Sequence, residues 1–314
     1  MTEVLSPDAK GIARAAALLS QGALVAIPTE TVYGLAGDAR SDQAVAAIYT
    51  AKGRPSFNPL IVHLAKTDQA ALYAHVSDQA RALMAAFWPG PLTLVLPLHD
   101  GAGLSPLVTA GLPSVALRQP AHRLAQALLT AFDGPLAAPS ANPSGRVSST
   151  TATHVLDGLS GRIAAVLDGG ACTVGVESTI IGLADGPPRL LRPGGIGVEE
   201  IEGVLGQKLA TAGEGITAPG QLASHYAPGA GVVLNATERP KGAIWVGFGP
   251  KCAGADLNLS VVGSLTDAAC NLFDMLRKAD ALAGPGGQIA FAPVPRDGLG
   301  LAINDRLQRA AAPR

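Results

Sequence analysis

The sequence predicts an α/β protein in which a twisted, mixed sheet with helices is followed by a smaller α/β unit. Three observations carry that expectation. Short apolar runs bounded by Gly and Pro recur along the first 200 residues without strict alternation with helical stretches, which favours a mixed sheet over a wound, Rossmann order. A stretch rich in Gly, Thr and Ala, Thr211–Gln221, then lacks any periodicity and reads as a linker. Beyond it, strand-like and helix-like segments resume. The expected division is a first domain at 1–205, a linker at 206–229 and a small domain at 230–314.

Each element has a local reason. Ser6-Pro7 opens a first helix, with a hydroxyl N-cap and proline at the first helical position. Ile12, Ala15, Ala16 and Leu19 line its apolar face, and Gly22 ends it. Ala23–Ile27 is a buried strand, and Pro28–Gly34 a polar loop. Ser41 caps a second helix that ends near Gly53. Leu60–Leu64 is a strand, and Ser77–Phe87 a helix stopped by Trp88-Pro89-Gly90-Pro91. Leu92–Leu96, Ser114–Arg118 and Leu136–Ala138 are strands, with a helix at about 121–132 before the last. Thr151–Leu159 is helical, Ala164–Asp168, Ser178–Leu183 and Arg189–Arg192 are extended, and Val198–Leu205 is a short helix. In the second unit Gly231–Leu234, Ala243–Val246 and Gln288–Phe291 are strands. Thr266–Leu282 is a well-formed amphipathic helix and Leu301–Ala310 a weaker one.

Composition excludes several functions. Lys+Arg is 23 and Asp+Glu is 24, so no global field draws in nucleic acid. Aromatics make up 4%, too few for extended base-stacking platforms, so any anionic ligand needs a local cluster of cations. Cys172, Cys252 and Cys270 lie far apart without a CxxC pair, which argues for reduced, mostly buried thiols in a cytoplasmic protein. Acidic residues ahead of Ala15–Ile27 and the break at Ser20-Gln21-Gly22 argue against an export signal. No apolar run reaches the length of a membrane span.

Familiar nucleotide and catalytic loops are missing: no GxxxxGK[ST], no GxGxxG between strand and helix, no HExxH and no GxSxG. Any nucleotide must be held in another way. Four segments stand out. Pro28-Thr29-Glu30-Thr31-Val32-Tyr33-Gly34-Leu35 puts hydroxyls in a loop directly after a strand. Lys52-Gly53-Arg54-Pro55, then Asn58-Pro59-Leu60-Ile61-Val62-His63, sets two cations around a glycine at a helix end, a pattern suited to phosphate or to the helix dipole. Pro139-Ser140-Ala141-Asn142-Pro143-Ser144-Gly145 offers short donors after a strand. Gly175-Val176-Glu177-Ser178-Thr179, with Arg192-Pro193-Gly194, offers a hydroxyl and a guanidinium, unless Glu177 simply pairs with a nearby base.

Taken in order, these segments resemble the YrdC-like family. Lys52-x-Arg54 with Ser140-x-Asn142 is similar to its KxR…SxN signature, and PTETVYGL, NPLIVH, WPGPLT, APSAN, GVEST and LRPG match its run of motifs almost continuously over residues 20–200. His225-Tyr226-Ala227-Pro228 and the small tail resemble the longer, two-domain members. The fold so implied is a YrdC-like twisted mixed sheet plus a small C-terminal Rossmann-like domain. The activity implied is synthesis of threonylcarbamoyl-adenylate from L-threonine, bicarbonate or CO2, and ATP, with release of pyrophosphate. The product would feed a tRNA threonylcarbamoyl-transferase complex, with no stable nucleic-acid binding by this chain. The resemblance places Thr31, His63, Arg118 and Ser178 against threonine, and Arg54, Asn58, Ser114, Ser140, Asn142, Ser148, Arg192 and Tyr226 against ATP. Lys52 neutralises phosphate charge beside them. Mg²⁺ would arrive on the ATP phosphates, with no protein ligand assigned. Ser149 stands where many members carry proline, which implies a looser loop there. Gln221-Leu222-Ala223-Ser224 stands where some members carry basic residues. Pro219 and Pro228, with Gly215, Gly220 and Gly229 as hinges, make the linker a candidate lid. The competing reading is an RNA-binding module that uses the same cations.

Overall fold

The computed structural model describes residues 1–211, 218 and 225–313. Among them, eleven strands form one sheet and four form another. The first sheet comprises β1 (Glu3–Leu5), β2 (Val25–Ile27), β3 (Gly34–Asp38), β4 (Ile61–His63), β5 (Leu92–Pro97), β6 (Ser114–Arg118), β7 (Leu136–Ala137), β8 (Ala165–Leu167), β9 (Thr179–Gly182), β10 (Arg189–Arg192) and β11 (Ala210–Thr211). Its order is β1-β8-β2-β3-β7-β4-β6-β5-β9-β10-β11, with parallel and antiparallel pairs intermixed. The second comprises β12 (Gly231–Val233), β13 (Ala243–Gly247), β14 (Leu257–Asn258) and β15 (Gln288–Phe291), all parallel, in the order β12-β15-β13-β14. The α-helices are α1 (Ala9–Ser20), α2 (Asp42–Lys52), α3 (Ala70–Tyr73), α4 (Asp78–Phe87), α5 (Pro106–Thr109), α6 (Arg123–Phe132), α7 (Ala152–Leu159), α8 (Val198–Leu205), α9 (Leu265–Ala283) and α10 (Leu299–Ala311). None of these helices is long and apolar enough to cross a membrane.

Caps explain most boundaries. Ser41, Ser77, Thr151 and Ser264 each accept a hydrogen bond from a backbone N–H in the first turn that follows. Gly53 ends α2 at φ +60°. The first helix departs from expectation. Asp8, not Ser6, is its cap and accepts from Gly11 N at 2.9 Å. A side chain at position 11 would run into the Ser6 carbonyl, so Ser6-Pro7 is the approach to the helix rather than its start. Four short strands lie outside the sequence expectation: β1, β3, β11 and β14. β3 reads GLAGD, with two glycines and no alternation; it becomes a strand because β2 and β7 pair with it on both sides. β11 falls within the stretch read as linker and pairs with β10.

The apolar core of the second sheet reaches loops of the first. Leu272, Phe273 and Leu276 of α9 pack with Val246 of β13 and with Ile289 and Phe291 of β15. Into the same cluster come Val32, Val147 and Val176, one valine from each of three loops that leave the first sheet. Gly175 makes this approach possible: its φ is +80°, and a Cβ there would stand 2.3 Å from the Cα of Cys270 on α9. Cys172 and Cys252 are buried, Cys270 is partly so, and all three are free thiols. Gly175→Ala is therefore expected to lower stability by about 2 kcal/mol, from left-handed strain and overpacking together. Urea unfolding of the variant against the parent checks this, and an unchanged midpoint would refute the tight seam.

Candidate active site

Loops at one end of the first sheet close around a tight cavity of ≈ 40 Å³. His63 and Arg118 end β4 and β6 and are register partners across the parallel pair. Ser178 precedes β9, and Arg192 ends β10, its antiparallel neighbour. The Thr29–Val32 loop follows β2, and the Pro139-Ser140 turn follows β7. Arg54 enters from the left-handed end of α2, and His225 and Tyr226 close the remaining side.

On one wall Thr29 and Thr31 share a hydrogen bond between their hydroxyls at 2.8 Å, and Thr29 Oγ1 donates to Val32 O at 2.6 Å. Ser178 Oγ lies 2.7 Å from Thr93 Oγ1. Arg118 is buried; its Nε donates to Gly90 O at 3.2 Å and its Nη2 to the Glu30 carboxylate. Glu30 in turn accepts from Ala121 N at 3.0 Å, which fixes the guanidinium from behind. His63 is buried beside Arg118, and burial first, then that positive neighbour, pushes its imidazole down to about 3. It is neutral at physiological pH, suited to a hydrogen bond rather than to accepting a proton.

The adjoining wall is cationic. Arg54 donates from Nε to Asn58 O at 3.2 Å and from Nη2 to Pro59 O at 2.9 Å; burial pulls its guanidinium down to about 10. Arg192 embraces Ser178, donating to its carbonyl at 3.0 Å and its hydroxyl at 3.2 Å. Lys52 is buried with its Nζ donating to the carbonyls of Ser140 and Asn142, so its ammonium shapes the SxN loop rather than lining the cavity. Burial, and then Arg54, holds that ammonium well below its usual range. Asn142 donates to Pro143 O and Arg146 O at 2.9 Å each. Ser148 donates to Glu177 at 2.6 Å. Tyr226 is fully buried at φ +59°, stacked on Phe273 at 5.4 Å and edge-on to His225 at 4.1 Å.

The structure therefore brings Thr31, Arg54, His63, Arg118, Ser140, Ser178, Arg192 and Tyr226 to one cavity. Lys52, Asn142 and Ser148 bond the residues or loops that form it. Asn58 supplies a carbonyl to Arg54. Ser114 stands apart, at the far end of β6, where it lines a second cavity of ≈ 450 Å³ with Val95, Pro97, Gly182 and Leu191. Between the two cavities Ile61, Val95, Ala116 and Ile180 form an apolar strip, on which Ala218 is buried. Buried Asn58 Oδ1, His63 Nδ1, Asn142 Oδ1 and His225 Nδ1 have no hydrogen-bond partner, and of these residues His63 and His225 line the cavity.

One expectation is corrected and several residues are added. The loop at Ser149 is not loose. Its hydroxyl donates to Ala141 O at 2.8 Å, and Arg277 of α9 clamps Val147 O at 2.6 Å. The expected hinges at Gly215 and Gly220, Pro219 between them, and Gln221-Leu222-Ala223-Ser224 lie outside the described residues. Sequence reasoning left Glu30 as part of a turn and passed over Arg306. The latter is fully buried on α10 and donates to Glu177 at 2.9 Å. Its signal was present: Arg306 shares the apolar face of α10 with Ala302, Ile303, Leu307 and Ala310.

The comparisons agree with this architecture. Residues 17–194 match the Sua5/YciO/YrdC family model, described as "Telomere recombination", and residues 196–312 match the model "Threonylcarbamoyl-AMP synthase, C-terminal domain". A mixed sheet with these cationic loops, joined to that C-terminal unit, defines the long type of this fold. The chain belongs to the threonylcarbamoyl-AMP synthase family. It is 43% identical to the threonylcarbamoyl-AMP synthase of Bacillus subtilis, covering 100% of this chain and 96% of that one. It is 41% identical to that of Pyrococcus abyssi, covering 96% and 94%. The crystal structure of Pyrococcus abyssi Sua5 complexed with L-threonine superposes with a TM-score of 0.89 at 38% identity, covering 99% of this chain and 97% of that one.

The neutral histidine has a consequence in acid. An unfolded imidazole titrates near 6.5, whereas His63 titrates at about 3. Between those values the unfolded chain binds more protons, so the contribution is complete above about pH 6.5 and lost as pH falls towards 3. His63→Gln is expected to reduce the stability lost between pH 7 and 4.5 by about 2–3 kcal/mol, read from denaturant unfolding at both pH values. An identical loss in variant and parent counts against a buried neutral imidazole.

Proposed function

We propose that the chain is a nucleotidyltransferase that forms L-threonylcarbamoyl-adenylate and pyrophosphate from L-threonine, bicarbonate or CO2, and MgATP. The observation that carries this is one cavity with two unlike walls. The hydroxyl, imidazole and guanidinium wall of Thr31, His63, Arg118 and Ser178 adjoins the cationic wall of Arg54 and Arg192, the two meeting where Arg192 bonds Ser178. The threonine complex of the Pyrococcus abyssi relative supports the first wall as a threonine site. Arg118 pairs with the threonine carboxylate, and the hydroxyls hold its side chain and amine. Arg54, Arg192, Ser140, Asn142, Ser148 and Asn58 surround the phosphates, with Lys52 adding charge from behind. The adenosine of ATP is assigned towards Ser114 and the second cavity.

The chemistry is a meeting of anions. The threonine amine attacks CO2 and releases one proton to solvent, giving the N-carboxylate, whose oxygen attacks the α-phosphorus. The bond from that phosphorus to the bridging oxygen breaks, and pyrophosphate leaves with the electron pair. Repulsion is the main obstacle, so fixed cations and positioning supply the catalysis, and no covalent nucleophile is used. Magnesium enters as part of the substrate. Glu30 and Glu177 are already committed to Arg118 and Arg306 and are not left to ligate it. The domains act as 1–205 for chemistry, 206–229 as lid and 230–314 as support. Tyr226 is buried against the cavity, and the 225–226 segment moves as ATP enters. Closure afterwards shields the mixed anhydride from water. The product passes to a tRNA threonylcarbamoyl-transferase complex in the cytoplasm, a compartment that suits the three free thiols.

Pyrophosphate release should require L-threonine, bicarbonate and Mg²⁺ together. ADP and phosphate as main products, or turnover without threonine, would sink the proposal and favour an RNA-binding or sensor role. Arg54→Ala should lower turnover at subsaturating ATP by roughly ten- to a hundred-fold, the worth of one charge-assisted contact. Arg118→Ala should raise the threonine KM more than the ATP KM. Equal effects on both constants would contradict the two-wall assignment.

A further inference from the structure

We propose that Arg306 of α10 is the counter-ion that allows Glu177 to stand in a cavity built for polyphosphate, so that the second sheet's unit positions the nucleotide end of the site. The inference rests on the activity proposed above. Glu177 lines the cavity as an anion. Burial raises its carboxyl, but Arg306 first and Arg192 next outweigh that and hold it below the ordinary range. The carboxylate has a positive use, since Oε1 accepts from Ser148 at 2.6 Å and pins the loop that carries it. Left uncompensated, the same charge would repel the phosphates of MgATP and compete with Ser178 for the guanidinium of Arg192.

Arg306 answers both problems from outside the first sheet. It is 0% exposed, and its Nε donates to Glu177 Oε2 at 2.9 Å. Its Nη1 donates to Pro193 O at 2.8 Å, beside Arg192, and to Asp305 at 2.8 Å. Its Cζ lies 5.4 Å from the centre of the Tyr226 ring, so the same residue braces the aromatic wall. Nη2 is buried with no hydrogen-bond partner. A position that required only packing would not bury such a donor; charge is what the site needs there. Arg306 is a positioning residue, acting through Glu177, Pro193 and Tyr226.

The test uses the full chain and three variants: Arg306→Gln, Arg306→Lys, and Arg306→Gln combined with Glu177→Gln. MgATP binding is measured by calorimetry, and KM for ATP and threonine by pyrophosphate release, at a temperature where circular dichroism shows folded protein. Arg306→Gln should weaken MgATP by about thirty-fold while the threonine KM shifts less than about threefold. Arg306→Lys, which keeps the charge, and the double variant, which removes the anion, should each recover about tenfold or more. If lysine binds as poorly as glutamine, or the double variant is no better, Arg306 serves packing alone and the proposal is overturned. Should Arg306→Gln fail to fold, the other two decide against the parent: MgATP affinity within about threefold supports the proposal, and loss in both overturns it. A parent that binds MgATP but releases no pyrophosphate fails the proposed activity, while the binding series still judges Arg306. A parent that does not bind MgATP overturns both.

Discussion

Positive charge is packed around one small cavity with little access to water. Lys52, Arg118, Arg192 and Arg306 are all buried, and Arg54 is half-buried. Burying cations is costly unless each meets oxygen atoms at close range. Here the oxygens are largely main-chain carbonyls: Asn58, Pro59, Gly90, Ser140, Asn142, Ser178 and Pro193. All but Ser178 are prolines or neighbours of one. Proline fixes the turn and contributes no N–H of its own, so carbonyls can point inward together. The Pro-rich loops of this chain are thus the electrostatic lining of its site.

That lining explains why so many groups in the cavity wall are held by backbone instead of by carboxylates. A carboxylate neutralises a cation outright; a carbonyl solvates it and leaves its charge available to a ligand. Glu30 and Glu177 bond Arg118 and Arg306 from nearby loops, Asp305 bonds Arg306 from α10, and both glutamates also accept a second donor that fixes a neighbouring segment. The result is a site with surplus positive charge and a rigid frame. Both are needed when two anions must be brought to bonding distance.

Most of the first sheet is legible because its strands are apolar runs between punctuating Gly and Pro, and α2, α4, α5 and α7 begin at Ser or Thr. β3 was not, since GLAGD carries no periodic signal and is made a strand by its neighbours. The site segments are legible as motifs, and the strand ends bring them together: His63 and Arg118 pair where β4 and β6 end, and Ser178 and Arg192 meet beside β9 and β10. Lys52 shows the limit of such reading: its position implied phosphate, whereas its ammonium is turned to the carbonyls of Ser140 and Asn142. Arg306 was harder still. It lies 129 residues from its partner Glu177, and no local pattern joins two groups whose meeting depends on the docking of two units.

The three valines from separate loops bear on how this architecture is inherited. Val32, Val147 and Val176 belong in sequence to the first unit but in packing to the second, beside Phe273 and Leu276. Neither half is then an interchangeable part. A hybrid that joins the first half of one relative to the second half of another must carry the valines, Gly175 and Glu177 matched to the incoming α9 and α10. Relatives that lack the second unit must close those same loops with something else, because three apolar side chains cannot be left facing water at the edge of a charged cavity.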